Sequence, residues 1–176
     1  MKFSEDILKG LGLEPDEKKE PVNIMRIGEI LEFMKQCAER IVKKSRSYTE
    51  CRDTEIQMDC MDVVTARLND FTQVFKDLII FIRKEEGTYK GGKSLRYCIA
   101  SFETFDFEET EKETLFLREL LLRNEITHDY FNRELHLQKL IWVMENCAEG
   151  AEDVYRDVYA YCSKMKLLDK YADKNT

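Results

Sequence analysis

Met58, Met61, Val64, Leu68, Phe71, Phe75, Leu78 and Ile82 recur at three- and four-residue intervals. That spacing puts side chains on one face of an α-helix, and the stripe is long enough to predict a single long helix ending near Gly87. Ile24, Ile27, Leu31, Met34, Ala38 and Ile41 repeat the pattern and predict a helix from about Val22. The 176 residues include only 7 Gly and 2 Pro, so few positions favour chain reversal. A shorter helix is expected over Ser94–Phe102 and another over Glu108–Arg123. A last one starts near Asn132 through Leu135, Leu137, Leu140, Ile141, Met144 and Cys147, then continues or restarts through Val154, Val158 and Cys162. The expected fold is all-α: an up-and-down antiparallel bundle of four to five helices over residues 22–170. Residues 1–21 read as an N-terminal extension, with one amphipathic turn over 4–10 capped by Ser4. A charged linker over 12–21 holds both prolines, and residues 171–176 read as a C-terminal tail.

A formal charge of −7 argues against a protein that coats nucleic acid through general electrostatics. It leaves room for a local basic site and for a basic partner. The six cysteines are scattered without CxxC spacing, and His128 and His136 lack an HExxH pattern, so no metal site and no cofactor is expected. The cysteines in apolar stripes read as small reduced core residues. No segment reads as a signal peptide or membrane span, which predicts a cytoplasmic protein with no membrane partner.

Leu115, Phe116, Leu117, Leu120, Leu121 and Leu122 surround much of their helix rather than forming one stripe. A helix apolar on most sides is packed on most sides and should carry few polar groups. Yet this one runs directly into Arg123-Asn124-Glu125-Ile126-Thr127-His128-Asp129-Tyr130. Polar groups delivered to a crowded place need partners, and such conflicts tend to mark functional sites. If the helix persists through Tyr130, Asn124 and His128 stack on one side, as do Arg123 and Tyr130, and all four share about half the circumference. The imidazole can move a proton near neutral pH, and the guanidinium can hold a phosphate and balance charge developing on it. Such a set suits phosphodiester cleavage by an internal 2′-hydroxyl, which needs no metal. The plainer reading has Arg123 ending a helix and pairing with a nearby Glu, with His128 an ordinary half-buried histidine.

Gly87-Thr88-Tyr89-Lys90-Gly91-Gly92-Lys93-Ser94 matches the phosphate-loop pattern GxxxxGK[ST] letter for letter. That mechanism requires a preceding strand, a following helix and a parallel sheet. The residues before it continue a helical stripe and no set of strands follows, so a loop between helices is expected. Tyr155 and Tyr159, four apart, read as groove packing or as part of a partner surface.

The run Arg-x4-His-x-Tyr, with Asn directly after the Arg, resembles the signature of the HEPN superfamily, closest to the HepT-like toxins and the related substrate-binding subunits of small nucleotidyltransferases. The likeness covers roughly residues 25–165: a long aromatic-rich second helix (Phe71, Phe75, Phe81), a loop, a short helix, an acidic helix leading into Arg123-Asn124, and a final long helix. Two features depart from the pattern, the 20-residue N-terminal extension and Lys93-Ser94 where a Ser-Pro often stands. The resemblance implies a homodimer whose two motifs face each other across a cleft and cut RNA without a metal. By match of position, Arg123 stabilises the phosphorane, His128 is general base or acid, and Asn124 orients them. A partner nucleotidyltransferase antitoxin would transfer AMP to Tyr130. The same resemblance admits a non-catalytic nucleotide-binding or substrate-binding subunit.

Overall fold

The computed structural model describes residues 27–126 and 133–168. Among these, six α-helices and one 3₁₀ turn form the bundle: α1 (Ile27–Glu50), α2 (Thr54–Glu85), α3 (Leu95–Phe102), the 3₁₀ turn (Glu103–Phe105), α4 (Glu111–Ile126), α5 (Arg133–Asn146) and α6 (Gly150–Lys164). No strand occurs among the described residues. The all-α bundle expected from the sequence is the fold observed. The expected turn over residues 4–10, the linker over 12–21, the helix start near Val22 with Ile24, and the tail over 171–176 lie outside the described residues.

The long stripe becomes the 32-residue α2, about 48 Å at 1.5 Å per residue. Its buried face is Cys60, Val64, Leu68, Phe71, Phe75, Leu78, Ile79 and Ile82. Met58 does not belong to it: that side chain is 57% exposed, because it stands two residues before the buried Cys60 and so points away from the buried face. Asp53 starts the helix by accepting from the backbone N–H groups of Glu55 and Ile56 at 2.9 and 3.2 Å. The three-residue connection 51–53 folds α2 back along α1, which buries Leu31, Met34, Cys37, Ala38 and Ile41 against it.

The phosphate-loop match is accounted for residue by residue. Gly87, at φ +71°, ends α2 in a Schellman motif: Thr88 N–H bonds Arg83 O at 2.9 Å and Gly87 N–H bonds Lys84 O at 3.1 Å. Gly92 backs onto the Tyr97 ring, where a Cβ would come within 2.4 Å. Ser94 Oγ caps α3 by accepting from Tyr97 N–H at 3.1 Å. The loop joins two helices, and the strand and sheet that a phosphate loop requires do not occur among the described residues.

Phe102, Phe105, Phe107 and Tyr161 tie α3 and the 3₁₀ turn to α6. Tyr161 stacks on Phe105 at 3.9 Å, and the Arg83 guanidinium lies 4.9 Å from the centre of the Phe105 ring. Arg83 also pairs with Glu86 at 2.8 Å, and Tyr161 donates to the same carboxylate. Of the two courses open to the last stretch, continuing or restarting, the chain takes the second: α6 begins at Gly150 after a turn over 147–149, which brings the helix count to six.

α4 has neighbours on most sides, as its distribution of apolar residues predicts. Phe116, Leu117 and Leu120 are buried, and Leu115, Leu121 and Leu122 are half-buried. The expectation that such a helix carries few polar residues fails, since Glu113 and Glu119 are both buried. Lys139 of α5 and Arg118 neutralise Glu119 at 3.1 and 3.3 Å. Glu113 is held by a capping box with Thr110, whose hydroxyl accepts from Glu113 N–H at 3.1 Å.

Candidate functional site

Arg123 and Asn124 sit in the last described turns of α4, facing α2. Arg123 is half-buried while Asn124 is exposed. Arg123 Nη1 donates to Asn69 Oδ1 at 3.0 Å, an amide 54 residues earlier, on α2. Burial lowers the Arg123 guanidinium from its ordinary value, though an arginine stays cationic at neutral pH. The plainer reading paired this arginine with a glutamate. Its hydrogen-bond partner among the described residues is instead a neutral amide, which orients the fork without cancelling its charge.

Around this pair lies a recess of about 180 Å³, lined by Asn69, Thr72, Gln73, Lys76, Arg123 and Asn124. Four of these residues form one face of α2 at helical spacing. Among the described residues the lining contains two cations, three side-chain amides, one hydroxyl and no carboxylate. In a chain of net charge −7, that lining is locally cationic. Lys76 is half-buried, and its ammonium makes no ion pair among the described residues. Of the nearby acids of α2, Asp70 is neutralised by Arg67 at 2.9 Å, whereas Asp77 accepts from the lining amide Gln73 at 2.9 Å and keeps its charge at the rim. Chemically, the arrangement fits an anion with several acceptor oxygens.

The structure therefore brings Arg123 and Asn124 to one recess. His128 and Tyr130 lie outside the described residues, as do Thr127 and Asp129. Sequence reasoning did not select Asn69, Thr72, Gln73 or Lys76. Their signal is a row of polar residues containing a lysine but no acid on the long helix, a pattern that reads as an ordinary solvated face until α4 is seen against it.

No group of three or more histidines, cysteines or carboxylates among the described residues is arranged to hold a metal. Cys37, Cys60, Cys98, Cys147 and Cys162 are buried free thiols, and Cys51 is half-buried. Tyr155 packs against the core and Tyr159 is 44% exposed, their rings 5.9 Å apart. None of the helices among the described residues is long and apolar enough to cross a membrane. The chain matches no protein-family model, no curated protein and no solved structure.

Proposed function

We propose that this chain is a HepT-like HEPN protein: a homodimeric, metal-independent endoribonuclease toxin held in check by a minimal nucleotidyltransferase. The observation that carries the proposal is Arg123, a half-buried guanidinium held at 3.0 Å by a neutral amide in a recess whose described lining has no carboxylate. A cation set that way is ready for an incoming phosphate. The order of helices and the spacing Arg123, Asn124, His128, Tyr130 add the resemblance on which the roles rest.

In the proposed reaction the ribose 2′-hydroxyl attacks the adjacent phosphorus, and its proton passes to a general base. The 5′-oxygen departs as a proton is delivered to it, leaving a 2′,3′-cyclic phosphate and a 5′-hydroxyl. His128 serves the proton transfers near neutral pH, Arg123 offsets the charge on the phosphorane, and Asn124 orients them. AMP transferred to Tyr130 would add a phosphodiester anion and an adenosine beside the same cation, competing with substrate.

A second reading, a nucleotide-binding or substrate-binding subunit without cleavage, is favoured by the net charge of −7, which disfavours affinity for RNA at large. Single-stranded RNA incubated with the purified protein and a chelator separates the two. The toxin reading expects cyclic-phosphate ends, lost in His128→Ala and in Arg123→Ala. Intact RNA, with AMP still accepted at Tyr130 from a cognate nucleotidyltransferase, supports the subunit. Mass in solution tests the dimer, and a strict monomer at micromolar concentration removes the composite cleft.

A further inference from the structure

We infer that the α2 wall of the recess is a docking point for a backbone phosphate of single-stranded RNA, held by Lys76 beside the phosphate that Arg123 meets. This rests on the ribonuclease reading and adds a binding residue to it. Lys76 belongs to a different helix from Arg123, yet both line one recess. Two cations share one half-buried lining; of the two acids beside it on α2, Asp70 is neutralised by Arg67, while Asp77 keeps its charge on the neutral amide of Gln73, so the described lining is cationic with one acid at its edge. That charge is costly to keep in a partly dehydrated place unless an anion arrives to offset it.

Size selects the kind of anion. Pockets that engulf a small molecule usually run from about 300 to 1,000 Å³. The recess, at about 180 Å³, takes a phosphate and the edge of its ribose but leaves the base outside. A strand lying across the surface satisfies that geometry better than an enclosed mononucleotide. Lys76 supplies a point charge that grips a phosphate without demanding one orientation, while Asn69 keeps the Arg123 fork aimed. Thr72 Oγ1 donates to Leu68 O at 2.7 Å, so its lone pairs remain available to a ribose 2′-hydroxyl.

The test is binding of a fluorescently labelled ten-nucleotide single-stranded RNA, read by anisotropy across a salt series, in a His128→Ala background that leaves the strand intact. Lys76→Gln is expected to weaken binding about tenfold and to reduce the slope of log affinity against log salt by about 0.7, one phosphate contact on a single strand. Lys76→Arg is expected to keep both. Unchanged affinity and slope in Lys76→Gln overturn the inference, as does a failure of the His128→Ala protein to bind the strand at all. Dependence on Lys76 for free AMP but not for RNA also overturns it, by making the recess a mononucleotide site. Cleavage by Arg123→Gln, measured alongside without the His128 substitution, judges the underlying reading separately. Retained cleavage removes that reading, whereas lost cleavage with an unaffected Lys76→Gln removes only the role of Lys76.

Discussion

Asn69 does for Arg123 what an aspartate would do differently. A carboxylate at that position would hold the guanidinium more tightly and cancel its charge, whereas the amide fixes direction and leaves the cation unspent. Two substitutions separate direction from charge. On the proposed ribonuclease reading, Asn69→Ala is expected to lower the cleavage rate by roughly tenfold through lost orientation. Asn69→Asp is expected to lower it further, by roughly a hundredfold, because the new ion pair competes with the phosphate. The aspartate variant should keep or raise the melting temperature, which distinguishes neutralisation of the site from damage to the fold. Equal rates for the parent and Asn69→Asp would show that the charge of Arg123 is not what the reaction uses. Arg123 and Asn124 could be singled out from sequence because their chemistry conflicts with the leucines before them. Asn69 and Lys76 could not, because α2 meets α4 only after the chain has folded back, and a polar row on a helix reads as solvent-facing in isolation.

At the scale of elements, the apolar stripes translate into α1 and α2 because three- and four-residue spacing has one geometrical solution. The elements that resist reading are those where a local rule is overridden by a neighbour. Gly150 begins α6 where α4 crosses it, and a Cβ there would lie 2.2 Å from Lys112 O and 2.6 Å from Phe116 Cβ. Replacing a helical glycine with alanine ordinarily stabilises by about 0.5–1 kcal/mol. Gly150→Ala is instead expected to cost about 2 kcal/mol or more, since the nearest obstacle is backbone. Thermal melting reads the sign directly, and a higher melting point would mean that the two helices can separate freely. The Thr110–Glu113 capping pattern is visible in sequence, but the burial of Glu113 against α6 is not. There Glu113 meets Asp157 and Asp153 of α6, with Glu109 on its own side and Arg156 as the nearby cation. Glu113 Oε1 and Asp157 Oδ2 are both buried without a hydrogen-bond partner. Burial, reinforced by Asp157, pushes the Glu113 carboxyl from 4.5 up to about 7, and burial raises Asp157 as well. Both folded values lie above the unfolded ones, so the folded chain holds extra protons. The stabilisation is fully present below about pH 4.5 and is lost as pH rises through about 7. For Glu113 alone this amounts to roughly 2 kcal/mol, discounted because Arg156 at the cluster's edge is largely exposed. Glu113→Gln should therefore melt higher than the parent at pH 8 and no higher at pH 5; identical pH profiles would remove the buried-acid account.

At the scale of the whole molecule, a single connected core joins all six helices, and five of the six cysteines are distributed through it. Burial pushes the Cys98 thiol up to about 11 and the Cys147 and Cys162 thiols up to about 12, and it raises Cys37. These thiols are protonated at pH 8 and are also out of reach of a reagent, so thiolate chemistry is suppressed twice over. Cys51 differs: it stands at the turn between α1 and α2, half-buried, its sulfur accepting from Asp53 N–H at 3.4 Å. A chromogenic disulfide reagent at pH 8 is therefore expected to consume one equivalent quickly and five slowly. If the core opens as one cooperative unit, the five slow thiols share a single rate, slower than in denaturant by a factor on the order of a thousand or more. Denaturant added below the unfolding midpoint should accelerate all five in parallel, because each requires the same global opening. Separate rates for Cys162 and Cys37 would mean instead that α6 detaches from the α1–α2 hairpin on its own. Because α4 packs chiefly on α6 and α5 and only lightly on α2, such an event would loosen the recess, where Arg123 of α4 meets Asn69 and Lys76 of α2, together with the Glu113–Asp157 contact. The pattern of thiol rates thus reports whether α6 and the helix packed on it open together with the α1–α2 hairpin or apart from it.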